Sequence, residues 1–290
     1  MKKTGSAKTK KGFKLIDERI EVLTELLPDS ERKLAELLTA RQALLATHSA
    51  TELAALAGSS KAAVTRFIQR IGYRSFADAR QEAREAQNWG SPAFQYAPDL
   101  SGVSEEAFGK HLQRDLENIT RTFERLNPKT TERAIDSIVR ARRIAVIGYR
   151  NSHALAQYLA RQLVLLKEHV SLLPQAGQTI GEDLAGFSPE DMAIVLAFRR
   201  RVPIVDQIVR HARQINLPVL VLTDAATPSN ELAADWRIVC ETHGSAQFDS
   251  YAAPMSVLNL LVSTIALRPE IANNNRLRHA ERLHNAFNEL

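Results

Sequence analysis

SATELAALAGSSKAAVTRFIQRIG, residues 49–72, decides the first half of the fold. Ser49 and Glu52 stand three apart at the head of an apolar run. That is the spacing of a capping box, in which the serine hydroxyl and the glutamate carboxylate each satisfy a backbone N–H that a helix start leaves free. The pattern predicts a short helix to Ala57. Gly58 suits the left-handed position that closes it, and Ser59 or Ser60 can cap a second helix over Lys61–Ile71. In that second helix Val64, Phe67, Ile68 and Ile71 share one face and are expected to pack inward. Lys61, Ala62, Thr65, Arg66, Gln69 and Arg70 are left outside.

On pattern alone such a pair has two readings. It is either plain antiparallel packing with arginines on a solvated face, or a helix placed in the major groove, where lysine and arginine suit guanine edges and phosphates and glutamine suits adenine. Between Lys61 and Arg84 the bases Lys61, Arg66, Arg70, Arg74, Arg80 and Arg84 outnumber the acids Asp78 and Glu82, so positive charge gathers beside the second helix.

Outward from this pair, residues 1–14 hold six lysines and no acid. Subtracting those six charges from the net +5 leaves −1 for the rest of the chain, so the basic excess is a tail. We expect residues 1–14 to be disordered, either a solvated arm or a phosphate-binding one. Residues 15–90 read as helical throughout. Gly90, Ser91, Pro92, Pro98, Ser101 and Gly102 then mark a linker over 91–107, and a second domain is expected over 108–290. The chain has 290 residues, enough for two domains at about 100–200 residues each.

The second domain opens with a helix-like stretch, Phe108–Leu126. Short runs apolar on both faces follow at Ile144–Ile147, Val170–Leu173, Ala193–Phe198, Val219–Thr223 and Ile238–Cys240. Amphipathic stretches at Ser152–Lys167, Pro203–Asn216 and about Pro254–Leu267 lie between or after them. Strands apolar on both faces need cover on both sides, so the expected fold is an all-α helical domain followed by an α/β domain, a parallel sheet flanked by helices. The loops after the strands would then share one edge, where ligands bind in such folds.

Other classes are excluded at this level. No apolar run follows the N-terminal lysines as in a signal peptide, and Val257–Leu267 is too short to span a membrane, so a cytoplasmic protein is expected, with no membrane partner. Cys240 is the single cysteine. It allows no intrachain disulfide, stands in no metal-ligand spacing and reads as a core thiol.

RRIAVIGYRNSHALAQYLARQLVLLK, residues 142–167, reads as strand, glycine turn and serine-capped helix. Gly148 can take the turn, and Ser152 with the first free N–H groups of its helix can hold an anion; simple capping is the other reading of Ser152. In AFRRRVP, residues 197–203, the guanidinium groups of Arg199, Arg200 and Arg201 can clamp a carboxylate or phosphate, or can pair with acids at a subunit contact. Pro203 fits the first turn of the next helix and keeps those arginines on the loop.

Residues 31–86, notably ATELAALAGSSKAAVTRFIQRIGYRSFADAR, resemble the N-terminal domain of the RpiR family of transcriptional regulators. Ser60, Ala62, Val64, Arg66, Phe67, Gly72, Tyr73 and Phe76 carry the match, and Ala63 stands where a threonine is common. The resemblance turns the second helix into a DNA-reading element, with Ser60, Lys61, Thr65, Arg66, Gln69 and Arg70 as its contacts. Residues 127–267 resemble the sugar isomerase (SIS) domain that such regulators carry. Its first loop is Gly-x-Gly-x-Ser, matched here by Gly148 and Ser152 but with Arg150 at the second glycine. Its later loop is Ser-x-Ser-Gly, where this chain has Ala197 and Arg199. Glu241, His243 and Gly244 resemble the Glu-x-His-Gly loop of SIS isomerases.

The resemblance implies a regulator in which Gly148, Arg150, Asn151, Ser152, Arg199, Arg200, Arg201, Glu241 and His243 bind a small anionic metabolite, a sugar phosphate or organic acid, and alter affinity for a double-stranded DNA operator. Contributions from Thr223–Ser229 and Glu241–Ser250 are possible readings of the same edge. We expect no catalytic residue, cofactor or metal, and a homodimer or homotetramer joined through outer helices or through Arg276–Leu290, with Leu277, Leu283 and Phe287. The rival readings are a phosphosugar isomerase, which needs a base and an acid at Glu241 or His243, and a sugar-binding adaptor, each with a basic helical appendage.

Overall fold

The computed structural model describes residues 16–21, 23, 27–88, 104–228, 231–246, 248–273 and 275–289. The chain divides into a helical unit within its first 99 residues and an α/β unit beyond. The expected tail, 1–14, and residues 91–103 of the expected linker lie outside the described residues.

The helical unit runs α1 (Ile16–Glu21), α2 (Asp29–Ala40), α3 (Ala43–Thr47), α4 (Ala50–Leu56), α5 (Lys61–Arg70) and α6 (Phe76–Asn88). Its core gathers one face of each of several helices: Leu34 and Leu38 from α2, Leu45 from α3, Leu53 from α4, and Val64, Phe67 and Ile68 from α5. Phe67 and Ile68 are fully buried, as the three- and four-residue spacing predicts.

The α/β unit runs α7 (Glu105–Arg125), α8 (Pro128–Arg140), β1 (Ile144–Gly148), α9 (Asn151–Val164), β2 (Val170–Leu173), α10 (Ile180–Leu184), β3 (Met192–Ala197), α11 (Pro203–Gln214), β4 (Val219–Asp224), β5 (Trp236–Cys240), α12 (Ala252–Ala266), α13 (Pro269–Ala272) and α14 (Arg276–Phe287). The five strands form one all-parallel sheet in the order β2-β1-β3-β4-β5. Helix α7 begins three residues before the expected Phe108, within the span read as linker. The reason is local: Ser104 accepts the Ala107 N–H at 3.2 Å, and Glu105 and Glu106 sit at the positive end of the helix.

Alternation along the central strands splits the core into two layers. Ile144, Val146, Ile194, Leu196, Leu220 and Leu222 face α8, α9 and α12 on one side. Ala145, Ile147, Ala193, Val195, Val219 and Val221 face α11 on the other. Every residue of β1, β3 and β4 is buried, while β2 and β5 at the sheet edges are only partly so. Cys240 closes β5 in this core, and burial pushes its thiol up to about 12.

Candidate functional site

The helix pair is built as its sequence requires. Ser49 donates its backbone N–H to Glu52 Oε2 at 2.6 Å, and the Glu52 N–H donates to Ser49 Oγ at 3.3 Å. Gly58 takes φ +59°, and Ser60 Oγ accepts the Ala63 N–H at 3.1 Å to start α5. Lys61, Thr65, Arg66, Gln69 and Arg70 all lie on the exposed face, with Ser60 exposed at its start.

These side chains are not equally free. Arg70 Nε donates to Glu31 Oε2 at 2.8 Å, and that α2 carboxylate is 2% exposed. Arg66 Nε stands 3.9 Å from the other oxygen of Glu31, with 60% of its side chain exposed. Thr65 Oγ1 donates to the Lys61 carbonyl at 3.2 Å. Arg80 and Arg84, counted in the basic cluster, donate to the carbonyls of Ala46 and Thr47 that end α3.

The ligand edge of the sheet is fixed by its topology. The order in which the strands are laid down switches sides between β1 and β3, and it is outside the C-terminal ends of the strands at such a switch point that sheets of this kind bind ligands. Gly148 is dictated by close approach, because a Cβ there would lie 2.4 Å from the Ser152 carbonyl oxygen and 2.8 Å from Ala156 Cβ. Arg150 occupies φ +56°, ψ −130°, a conformation natural to glycine and strained for arginine. This is the position where the family pattern has its second glycine, so the backbone turn is kept although the residue has changed.

Ser152 does not cap α9 as expected. The cap position falls on Arg150, whose side chain makes no capping bond, and Ser152 is the second helical residue, buried, with its N–H donated to the Tyr149 carbonyl at 3.1 Å. The tight turn at Tyr149–Arg150 starts the helix earlier and carries the serine inside its first turn.

The arginine loop is more committed than its sequence suggests. Arg199 is paired with Asp249, both side chains about nine-tenths buried. Arg201 binds Asp206 at 3.1 Å and Glu231, and its side chain is likewise buried. Arg200 takes φ +61° and makes no ion pair within 4.0 Å among the described residues. Asp224, at the end of β4, is buried and accepts the Ala226 N–H at 2.9 Å. Burial raises the Asp224 and Asp249 carboxyls, and Arg199 opposes the rise in both.

The segment after β5 is held by α7. Glu241, buried, pairs with Arg125 and lies 3.2 Å from His243 Nδ1, and its N–H donates to Thr122 Oγ1 at 2.9 Å. Asn118 Nδ2 donates to the His243 carbonyl at 2.7 Å, His111 Nδ1 is 2.9 Å from Ser245 Oγ, and Ser250 Oγ donates to Asp115 Oδ1 at 2.5 Å. Residues 111, 115, 118, 122 and 125 form one polar stripe on α7. Sequence reasoning missed that stripe and Tyr251, and it reached Asp224 and Asp249 only as members of the spans Thr223–Ser229 and Glu241–Ser250. Asp249 falls within the Glu241–Ser250 span and Tyr251 directly after it, and a second acid next to an aromatic there was the available signal.

A depression lined by Arg142, Arg143, His169 and Gly186 lies at the opposite, N-terminal edge of the sheet. Both arginines there are bonded to Asp191, whose carboxyl they hold far below the usual range, and Arg142 also stands 3.8 Å from Glu190, so two guanidinium groups face two carboxylates. Among the described residues no three His, Cys, Asp or Glu side chains converge as a metal site, and no single helix is long and apolar enough to cross a membrane.

A helix pair with a polar outer face, followed by a 2-1-3-4-5 parallel sheet, defines a helix-turn-helix protein with a doubly wound α/β domain. Residues 14–87 match the model of the helix-turn-helix domain of the rpiR family, and residues 137–264 match that of the SIS domain. The chain thus carries an RpiR-family helix-turn-helix domain followed by a SIS domain, and is a helix-turn-helix transcriptional regulator with a SIS domain. It is 23% identical over 249 residues to the uncharacterized regulator YbbH of Bacillus subtilis, covering 84% of this chain and 86% of that one. The sugar isomerase domain of an RpiR transcription factor from Sphaerobacter thermophilus superposes with TM-score 0.57 at 28% identity, covering 61% of this chain and 99% of that one. NanR of Vibrio vulnificus, solved in complex with ManNAc-6P, superposes with TM-score 0.55 at 15% identity, covering 94% and 98%.

Proposed function

We propose that the chain binds a double-stranded DNA operator through the outer face of α5, as a homodimer or homotetramer, and that a small anionic metabolite of the sugar-phosphate class alters that affinity from the strand-end loops of the SIS domain. The observation that carries the reading is the exposed face of Lys61, Thr65, Arg66, Gln69 and Arg70 on a helix whose other face is core. Phosphate contacts by such a face release counterions, so affinity for the chain's own promoter region falls steeply with salt. Fluorescence anisotropy at two salt concentrations tests this, and an affinity unchanged by salt refutes it.

The effector pocket is assigned to Gly148, Arg150, Asn151 and Ser152 together with Arg199, Arg200, Arg201, Glu241 and His243. Its support is the switch in strand order between β1 and β3 and the N-terminus of α9 that follows β1 at that point. That NanR was solved with a phosphorylated sugar favours the same class here. We read the pocket as a sensor rather than an isomerase because Glu241, the candidate base, is buried and occupied by Arg125 and His243. For the oligomer contact, the exposed apolar side chains Leu277, Leu283 and Phe287 on α14 and Phe108, Leu112 and Leu116 on α7 are the candidate surfaces. Domain limits of 15–90 and 108–290, with a basic tail and a linker outside them, belong to the same reading.

A further inference from the structure

The Asp249 carboxylate lies among cations. Arg199 is bonded to it, and Arg200 is near enough to attract it electrostatically. Tyr251, two residues on, brings the remaining loops to the same point. Asn151, at the start of α9, lies beside its hydroxyl, and Arg199, Asp224 and Asp249 are within electrostatic reach of it. Its ring packs edge-on against Phe198, 5.8 Å between centroids. Residues following β1, β3, β4 and β5 therefore meet around one carboxylate that the protein itself supplies. The pairing is incomplete: Arg199 Nε is buried with no hydrogen-bond partner, although a guanidinium edge offers two parallel N–H groups to an oxyanion.

The geometry points to Asp249 as a built-in occupant of the anion site, which a doubly charged phosphate group displaces from Arg199, opening the contacts that hold Thr242, Ser245 and Ser250. This inference rests on the strand-end loops being the effector pocket. A monocarboxylate carries no more charge than Asp249 and competes against a tethered group at high effective concentration. A phosphate dianion has twice the attraction to the same cations and enough oxygens to engage both a terminal nitrogen and the orphan Nε. Opening has a defined route outward. The Ser250 N–H donates to the Thr242 carbonyl at 3.0 Å, and α7 grips the loop at Ser250, His243 and Ser245, so displacing Asp249 loosens that grip.

The test is calorimetric titration of the full chain with inorganic phosphate, and separately with acetate, for wild type, Asp249→Asn, Asp249→Ser and Ser152→Ala. Removing the competitor in either Asp249 variant raises phosphate affinity about tenfold or more, since apparent affinity scales with the fraction of open site. Acetate does not bind wild type. In anisotropy, phosphate-free Asp249→Asn matches the operator affinity of phosphate-saturated wild type. Equal phosphate affinity in wild type and both Asp249 variants, with Ser152→Ala weaker, overturns the displacement and leaves the pocket standing. Acetate binding as tightly as phosphate overturns the need for a dianion. An Asp249→Asn operator affinity equal to that of phosphate-free wild type overturns the coupling to the loop. Phosphate binding in no variant, or binding unmoved by any of the substitutions, overturns both the displacement and the pocket.

Discussion

Helix α5 and the loop after β3 each carry three basic side chains in a short span, and the structure uses them differently. On α5 the backbone hydrogen bonds are made within the helix, the apolar face is spent on the core, and Lys61 and Arg66 extend outward with most of their surface in water. On the loop, Arg199 and Arg201 are buried and each is matched to carboxylates of the same chain. A polyanion can therefore meet α5 without breaking anything, whereas an anion at the loop must exchange partners with Asp249 or use Arg200. One surface suits rapid, salt-sensitive association, and the other suits a response that requires an internal change.

The largest effect that would break this comparison is on stability. Arg199→Ala leaves the buried Asp249 and Asp224 without their shared cation, and losing one partner of a buried pair destabilises by about 3–5 kcal/mol. Urea unfolding in a Trp89→Phe background, so that Trp236 of β5 reports alone, measures it. Arg66→Ala, followed by far-UV circular dichroism because Arg66 lies in the helical unit and Trp236 does not, changes stability by about 0.5 kcal/mol or less, as for an exposed surface position. Equal losses in the two variants would show that the loop pair is not the tighter one. The double variant Arg199→Ala, Asp249→Ala should regain part of the loss.

How far the sequence discloses this difference depends on the distance to each partner. The strands were legible because a parallel strand covered on both faces must be apolar throughout, and Ile144–Ile147 and Val219–Thr223 have that pattern within a few residues. The helix pair was legible because Ser49, Glu52, Gly58 and Ser60 act on backbone groups three or four positions away. The loop pairs were not: Arg199 finds Asp249 50 residues later, and Arg125 finds Glu241 116 residues later. The polar stripe of α7 reads as a solvated helix face for the same reason, since nothing near Asn118 in sequence announces the His243 carbonyl 125 residues on. Glu31 shows the converse case, an acid in the first turn of α2 that looks solvent-facing until Arg70 arrives over it.

Glu31 sharpens the comparison at intermediate size, because it makes Arg70 partly a loop-type arginine on a helix-type surface. Arg70→Ala strands a buried carboxylate, and the helical unit should lose about 1–3 kcal/mol, with recovery in the double variant Glu31→Gln, Arg70→Ala. Arg66→Ala, by contrast, should spare stability and weaken operator binding by about 1–3 kcal/mol. Anisotropy and thermal unfolding on both variants separate the two roles. If Arg66→Ala binds the operator as wild type does, that side chain is not at the interface.

The smallest expected effect concerns two serines that look alike in sequence, each standing at the start of a helix. Ser49 accepts the Glu52 N–H while its own N–H is returned to the Glu52 carboxylate, so Ser49→Ala removes half of a reciprocal cap and should cost about 1 kcal/mol of stability. Ser152 sits one residue inside α9, behind Arg150, and caps nothing. Ser152→Ala should therefore change stability by about 0.5 kcal/mol or less. Any effect it has on the effector response then belongs to binding, because the helix start it was expected to hold does not depend on it. Thermal unfolding of the two variants side by side decides the matter. A loss at Ser152 as large as that at Ser49 would mean that its hydroxyl supports the turn at Tyr149–Arg150, and a weakened effector response in that variant could no longer be assigned to a contact with the anion.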